Sequence, residues 1–307
     1  MRKPLAPTLL AAFALAVTGG AAAPAVAGTP SIDTADAVVA SADQATTAAE
    51  HRAVTSYWTP ERMEAAIPAD VRMSPDGDVT TGAAPTAADD MVAQADPENP
   101  QPELGKVFFT LGGQDYVCSG TATTSQNSSV VTTAGHCVHE GAGGSFATNF
   151  TFVPAYENGS APHGEWSAAT LYTSSGWADS GDFTVDVGFA VMNDSGGQSL
   201  TDAVGSYPIA FDQSRGLSYT SFGYPAGSPF DGQLLYSCSA TAHDDPQGST
   251  TQGIACDMTG GSSGGGWITG GQLNSVNSYK YTNDSSTMYG PYFGSAAQAV
   301  YDAAATS

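Results

Sequence analysis

Three polar residues stand in surroundings that favour acyl-transfer chemistry, in the chain order His, Asp, Ser. His136 lies in Thr-Ala-Gly-His-Cys, Asp186 in an apolar run, and Ser263 in Gly-Gly-Ser-Ser-Gly-Gly. Acyl transfer through a serine needs a base for the hydroxyl proton, a group that orients this base, and N–H donors for the oxyanion. We therefore predict Ser263 as the nucleophile, His136 as its base and Asp186 as the orienting carboxylate.

The glycines around Ser263 are expected to supply the oxyanion donors. They allow the backbone to turn tightly, so the N–H groups of Gly261 and Ser263 can point toward one place. Such a composition is also typical of a flexible linker, but Cys, Met and Trp residues border this stretch closely. No Gly-Lys-Ser/Thr follows, which excludes a phosphate-binding loop.

Asp186 is preferred to Asp182 as the third member. An acid inside an apolar strand is costly unless another group pairs with it, and an imidazole that gains a proton is a suitable partner. Asp182 stands beside a glycine turn instead. Asp179, Asp182 and Asp186 could also bind calcium, but their spacing is unlike a twelve-residue calcium loop.

No metal or cofactor is expected from the remaining histidines. His139 follows His136 by three residues, but the sequence offers no third ligand nearby. His51, His163 and His243 have no supporting context, and we expect them at the surface.

The chain has four cysteines, an even number that favours disulfides in an oxidising compartment. Three pairings are possible. We prefer Cys118–Cys137 and Cys238–Cys256, because each pair is close in sequence and brackets material around a predicted catalytic motif. No Cys-x-x-Cys spacing occurs, so a zinc site is excluded.

The N-terminus predicts export. Residues 1–27 resemble a signal peptide, with Arg2 and Lys3, an apolar stretch at 9–17 and small residues at 25–27. The net charge of −22 argues against nucleic acid and against anionic membrane surfaces as partners.

Residues 28–103 differ in composition from the rest and are predicted to be a pro-region and linker. They lack Cys and carry few large apolar residues, and 75–102 is rich in Pro and acidic residues. We expect one ordered island, a helix that begins at Pro60 after the capping residue Thr59. A disordered spacer that stays attached is the alternative.

From Leu104 onward the sequence predicts an all-β structure. Residues 106–110 and 116–121 are typical of a hairpin around 112–115, and further β-branched or aromatic runs alternate with Gly, Ser and Asn turns. Such a series favours a barrel or a sandwich. The tail at 295–301 predicts a short helix.

At these motifs the chain resembles the chymotrypsin-like serine peptidases, and more closely the secreted trypsin-like and glutamyl endopeptidase-like enzymes of bacteria. The resemblance covers about residues 105–301, and residues 56–63 are similar to the pro-regions of these enzymes. It implies two six-stranded Greek-key β-barrels, at 104–200 and 201–307, with the triad in the cleft between them. It also implies a secreted monomer that hydrolyses peptide bonds in proteins or peptides.

One departure from this family concerns activation. Ser262 stands where the animal enzymes have an Asp that pairs with a newly cut N-terminus, and no Ile-Val-Gly-Gly start occurs. We therefore expect activation without that salt bridge, and a pro-region that masks the enzyme or helps it to fold.

Similarity to trypsin places Asp257, six residues before Ser263, at the base of the substrate pocket and Ser278 in its wall. An acid there predicts cleavage after Arg or Lys. A glutamyl-specific enzyme of the same fold is the alternative, although the wall at 275–279 lacks the His that such enzymes use. A non-catalytic peptide-binding relative is a further alternative, which the complete triad disfavours.

Overall fold

The computed structural model describes residues 39–74, 76–82 and 95–307. The predicted signal peptide and part of the predicted pro-region therefore lie outside the described residues. No helix within the described ranges is long and apolar enough to cross a membrane.

Strands make up most of the regular structure. In chain order they are β1 (Val39–Asp43), β2 (Ile67–Pro68), β3 (Asp70–Met73), β4 (Val79–Gly82), β5 (Asp96–Pro97), β6 (Leu104–Leu111), β7 (Gln114–Thr123), β8 (Val130–Thr133), β9 (Thr148–Pro154), β10 (Trp166–Ser174), β11 (Gly188–Met192), β12 (Ser218–Gly223), β13 (Tyr236–Thr241), β14 (His243–Asp244), β15 (Gln252–Ala255), β16 (Gly266–Thr269), β17 (Gln272–Val276), β18 (Tyr279–Tyr281) and β19 (Asp284–Gly290). The helices are α1 (Ala48–Tyr57), α2 (Pro60–Ala65), α3 (Ser175–Ser180), α4 (Leu200–Val204) and α5 (Ser295–Ala305), with 3₁₀ turns at Gly135–Cys137 and Phe183–Val185.

Strands β6 to β11 form a closed antiparallel barrel. The order is β9-β6-β7-β8-β11-β10, and β10 returns to β9. Alternate side chains of these strands fill the interior with large apolar groups such as Val107, Phe152 and Phe189. The predicted hairpin is confirmed as β6 and β7, which meet at Gly112 and Gly113; both glycines have positive φ, a conformation that other residues adopt at a cost.

The second half of the chain forms two further sheets around a separate core. Strands β12, β13, β16 and β17 lie in one sheet, and β14, β15, β18 and β19 in the other. Buried Ile254, Met258 and Trp267 lie in the core cluster between them. The all-β double-barrel fold is thus confirmed. Helix α5 is longer than predicted and returns to the first barrel, where Tyr301 contacts Phe189.

The region before Leu104 is more ordered than predicted. Strand β1 pairs with β10, β2 runs parallel to β7, β3 runs parallel to β18, and β5 pairs with β13. Helix α2 and its Thr59 cap are confirmed, but the expectation of a single ordered island is wrong. These short strands are held by backbone hydrogen bonds to the sheets of the two barrels. Such pairing needs no particular side chains, so the amino-acid composition of the segment gives little sign of it.

Candidate active site

Asp186 fixes the position and the tautomer of His136. The imidazole follows β8 on the first 3₁₀ turn, and its Nδ1 lies 2.8 Å from Oδ2 of Asp186. The backbone N–H of His136 donates to Oδ1 of the same carboxylate at 2.8 Å. An Nδ1–H that donates to a carboxylate leaves the lone pair on Nε2, the atom that a base requires. The adjacent Cys137 is bound to Cys118 of β7 by a disulfide, as predicted.

Asp186 is fully buried, but it does not lie inside a strand as the sequence suggested. It ends the 3₁₀ turn Phe183–Val185, just before β11. Here both carboxylate oxygens face His136, and Oδ2 also accepts a hydrogen bond from Ser278 Oγ at 2.5 Å. The rival Asp182 is exposed and caps the same turn through Thr184.

Glycines allow the loop that carries Ser263 to reach its position. Gly261 and Gly264 have φ of +96° and +80°, a region that side chains with a Cβ rarely occupy. A Cβ on Gly265 would lie 1.9 Å from the carbonyl oxygen of Phe222 in β12. The loop therefore packs directly on the backbone of the second barrel, which excludes the linker alternative.

Asn277 holds this loop, a role that sequence analysis missed. Its Nδ2 donates to the carbonyls of Phe222 and Ser262 at 2.9 and 3.0 Å, and its Oδ1 accepts from Ser221 and Trp267. All four hydrogen bonds are buried, so this amide is a rigid support rather than a reactive group. No motif marks Asn277 in the sequence.

The N–H groups of the two predicted oxyanion donors take no part in the hydrogen bonds that anchor the loop. Ser119 binds the carbonyl of Gly261 through Oγ at 2.9 Å and the carbonyl of Ser263 through its N–H at 2.7 Å. Within the described ranges, neither the N–H of Gly261 nor that of Ser263 donates to another protein group. The hydroxyl of Ser262 donates to the carbonyl of Thr259 at 2.7 Å.

Ser263 donates its hydroxyl to a residue before the barrels and not to His136. The acceptor is the carbonyl oxygen of Ala69, 3.1 Å from Oγ. Nε2 of buried His136 has no hydrogen-bond partner among the described residues. The structure thus brings His136 and Asp186 into contact, with Ser263 beside Cys137, but the His136–Ser263 hydrogen bond is not formed.

A small pocket beside Ser263 is lined partly by β3. Its lining includes Gly260, Ser278 and Lys280, together with Asp70 and Val71 of β3. A Cβ on Gly260 would be 2.6 Å from Cβ of Asp70, so Asp70 packs closely against Gly260. The expected wall residue Ser278 is therefore at this pocket.

Lys280 is a buried cation in this wall that sequence analysis did not assign. Its Nζ donates to the carbonyls of Cys256 and Ser285 at 2.6 and 2.5 Å. Burial lowers the pKa of Lys280 to about 7, and the nearby carboxylate of Asp257 opposes this shift. Lys280 could have been singled out from the sequence, because it stands two residues after Ser278 in a chain with few basic residues.

Asp257 is buried and is not among the residues that line this pocket. It is 3% exposed, and its Oδ1 accepts a hydrogen bond from the backbone N–H of Ala95 at 2.9 Å. The second predicted disulfide, Cys238–Cys256, is present beside it.

The other histidines have structural contacts. His139 Nδ1 accepts from the N–H of Gly141 at 2.9 Å, and burial lowers the pKa of His139. His51 is half-buried rather than at the surface, since its Nδ1 lies 2.6 Å from Ser167 Oγ and joins α1 to β10. His243 is exposed, as expected, and His163 is half-buried.

Comparison with known proteins identifies related proteins whose structures are solved. No family model and no curated protein matches the chain. The protease Anisep from Arthrobacter nicotinovorans is 56% identical, with a TM-score of 0.68 over 69% of this chain and 100% of that one. The thermostable serine protease AL20 from an extremophilic microorganism is 53% identical, with a TM-score of 0.66 over 67% of this chain and 98% of that one.

A more distant structure shares the fold alone. A Glu endopeptidase bound to MPD is 20% identical, with a TM-score of 0.58 over 70% of this chain and 98% of that one. The two more similar structures are a protease and a serine protease, and each is matched along nearly its whole length. The chain therefore belongs to the chymotrypsin-like serine peptidases of bacteria.

Proposed function

We propose that the chain is the precursor of a secreted serine endopeptidase with His136, Asp186 and Ser263 as its triad. The His136–Asp186 pair, beside a glycine-framed serine loop in a chain of this family, is the observation that carries the proposal. The predicted signal peptide and the two disulfides support secretion.

In the proposed reaction Ser263 Oγ attacks the carbonyl carbon of the substrate while Nε2 of His136 takes the hydroxyl proton. The N–H groups of Gly261 and Ser263 stabilise the oxyanion, and one such donor contributes about 2.7–4 kcal/mol. His136 then gives the proton to the leaving amine as the C–N bond breaks. Water then attacks the acyl-enzyme in the same way and releases the acid, while the Asp186 carboxylate holds the imidazole in place.

The segment 67–73 supports the zymogen role predicted for the pro-region. Ser263 directs its proton at the carbonyl oxygen of Ala69, which is the wrong direction for transfer to His136. Strands β2 and β3 pair with β7 and β18 on the two sides of this contact. We propose that the segment masks the nucleophile until it is removed.

For the cleaved bond, the pocket wall favours an acidic residue. Lys280 lines the pocket, and the acid that β3 places there is Asp70. The prediction of cleavage after Arg or Lys relied on Asp257. Its carboxylate accepts a hydrogen bond from the N–H of Ala95 and interacts electrostatically with Lys280. We therefore propose the glutamyl-type preference, the alternative from sequence, over the basic one.

A serine-directed phosphonate tests the activity. It should label Ser263 in the matured, disulfide-bonded protein, and Ser263→Ala should abolish both labelling and turnover, while the neighbouring Ser262→Ala keeps the label. Absence of labelling would leave the peptide-binding alternative. A digest of denatured proteins read by mass spectrometry tests specificity, because cuts after Arg or Lys would restore the role first predicted for Asp257.

A further inference from the structure

The segment 67–73 passes the proposed triad in a defined chain direction. Strand β2 runs parallel to β7, and β3 runs parallel to β18, where Arg72 lies opposite Lys280. Between the two strands, the carbonyl oxygen of Ala69 accepts a hydrogen bond from the hydroxyl of Ser263 at 3.1 Å. The chain therefore enters beside the first barrel, crosses Ser263 and leaves along the edge of β18.

The order of residues in this segment is opposite to the order that the proposed cleavage requires. A substrate that is cut after an acidic residue presents the carbonyl of that same residue to Ser263, and its next residue continues past the serine. In the segment, Asp70 lines the pocket, but the carbonyl at Ser263 belongs to Ala69, the residue before it. The residue after it, Val71, continues along β18 instead.

The carbonyl of Ala69 is also not held for attack. Ser263 donates its hydroxyl to the oxygen of this carbonyl, whereas attack needs Oγ to approach the carbon and its proton to pass to His136. Among the residues that the structure describes, the N–H groups of Gly261 and Ser263 form no hydrogen bond with this oxygen. A peptide bond thus lies against the nucleophile without the polarisation that the reaction requires.

Side chains on both faces of β3 hold the segment in place. The carboxylate of Asp70 accepts a hydrogen bond from Nε of Arg72 at 2.9 Å, so the segment carries the counter-charge of its own buried acid. Between them Val71 points to the other face, is 6% exposed and belongs to the apolar cluster of Trp177 and Phe183. Both faces are therefore bound while the segment remains unreactive.

We propose that residues 67–73 act as an inhibitor that fills the cleft in the opposite chain direction to a substrate, so that the enzyme cannot hydrolyse the segment that masks it. The inference rests on the proposed function, because it takes this cleft as the place where bonds after acidic residues are cut. It goes beyond masking, since it predicts that the bonds on both sides of Asp70 stay intact. Maturation then has to begin with a cut outside this segment.

Replacement of Asp70 by Glu distinguishes the two directions. In the substrate direction, Asp70→Glu would place the preferred acid before the bond that Ser263 attacks, and the purified precursor would cut itself between positions 70 and 71. In the opposite direction this bond should stay intact. The same variant, once unfolded, should be cut there by added mature enzyme about tenfold or more faster, because the folded segment is cut only on opening.

Asp78→Glu is the matched control, read like the first variant by mass spectrometry of the fragments. Asp78 is also followed by a valine, but it is exposed in the turn between β3 and β4. The folded precursor of this variant should therefore be cut by added mature enzyme between positions 78 and 79. Cleavage of folded Asp70→Glu precursor between 70 and 71 at the rate of the unfolded chain would overturn the inference.

A crosslink tests the direction without catalysis. Ile67 lies opposite Tyr116 in the parallel pair of β2 and β7, so a precursor with Ile67→Cys and Tyr116→Cys should form a disulfide, and one with Met73→Cys and Tyr116→Cys should not. The reverse result would overturn the inference. If the unfolded Asp70→Glu chain is not cut between 70 and 71, the proposed acidic preference fails, and the crosslink alone decides the direction.

Discussion

Replacement of Lys280 by Met tests the origin of substrate preference most directly. Methionine has a similar length and keeps the apolar part of the side chain, but it removes the ammonium group. Two of the three N–H donors of Nζ bind the carbonyls of Cys256 and Ser285, so one donor is left for a substrate carboxylate. The variant should therefore lose recognition of acidic residues and keep the catalytic groups.

The expected loss follows from the strength of one hydrogen bond between charged groups. Such a bond contributes about 1.5–3 kcal/mol, which corresponds to roughly a 10- to 150-fold loss of kcat/KM. A bare Coulomb energy would be larger, about 4 kcal/mol at 4 Å and an effective dielectric constant of 20. Desolvation of both groups offsets part of that attraction, so the smaller range is the prediction.

The assay compares peptides that differ only in the residue before the cleaved bond: Glu, Gln or Lys. In Lys280→Met the kcat/KM for Glu should fall by the stated factor, and that for Gln should change little. Lys106→Met is the matched control, because Lys106 is equally buried but binds Gly232 in another part of the fold. An equal loss for Glu and Gln, or a wild-type enzyme that prefers Lys, would refute the reasoning.

Four further results are expected. First, the Glu-to-Gln ratio of kcat/KM should be high below pH 7 and fall as the pH rises through about 7, because Lys280, with its pKa lowered to about 7, then loses its proton; a flat ratio from pH 6 to 9 would contradict this. Second, Asp186→Asn should lower kcat by about 10⁴ with little change in KM, since the amide cannot hold the Nδ1–H tautomer of His136; a loss carried by KM would argue against this role. Third, Gly135→Ala places a Cβ 2.8 Å from Oδ1 of Asp186, so thermal unfolding should show a loss of about 1–3 kcal/mol; unchanged stability would mean that the turn adapts. Fourth, the phosphonate should label the uncleaved precursor about tenfold or more slowly than the matured enzyme, because only the fraction with an open cleft can react; equal rates would exclude masking by residues 67–73.

The proposed triad residues could be selected from the sequence because each stands in a local motif. A glycine-framed serine and a His-Cys turn have strong backbone requirements, which are visible in the sequence itself. The position of Asp186 was less accurate, since its apolar neighbours suggested a strand and the structure has a 3₁₀ turn before one. The contact partner was nevertheless right, because a buried carboxylate must pair.

Support and regulation of the site were harder to predict, because they depend on contacts distant in sequence. Asn277 binds four groups that lie up to 56 residues away, and no pattern around it indicates this. The segment 67–73, which we propose to mask Ser263, pairs through its backbone, so its side chains carry no signature of the sheets that it joins. Only a folded chain shows that Ala69 meets Ser263.

The distribution of basic residues argues that Lys280 has a function. From residue 104 to the end the chain has three, Lys106, Arg215 and Lys280, in a protein of net charge −22. Exposed cations would relieve the repulsion among its acids, yet both lysines are buried at a desolvation cost that lowers their pKa to about 8 and about 7. Lys106 is compensated by the rings of Phe108 and Tyr156. Lys280 lines the small pocket beside Ser263, and under the proposed preference a substrate carboxylate there would accept a hydrogen bond from Nζ and raise the pKa of Lys280 toward its ordinary value.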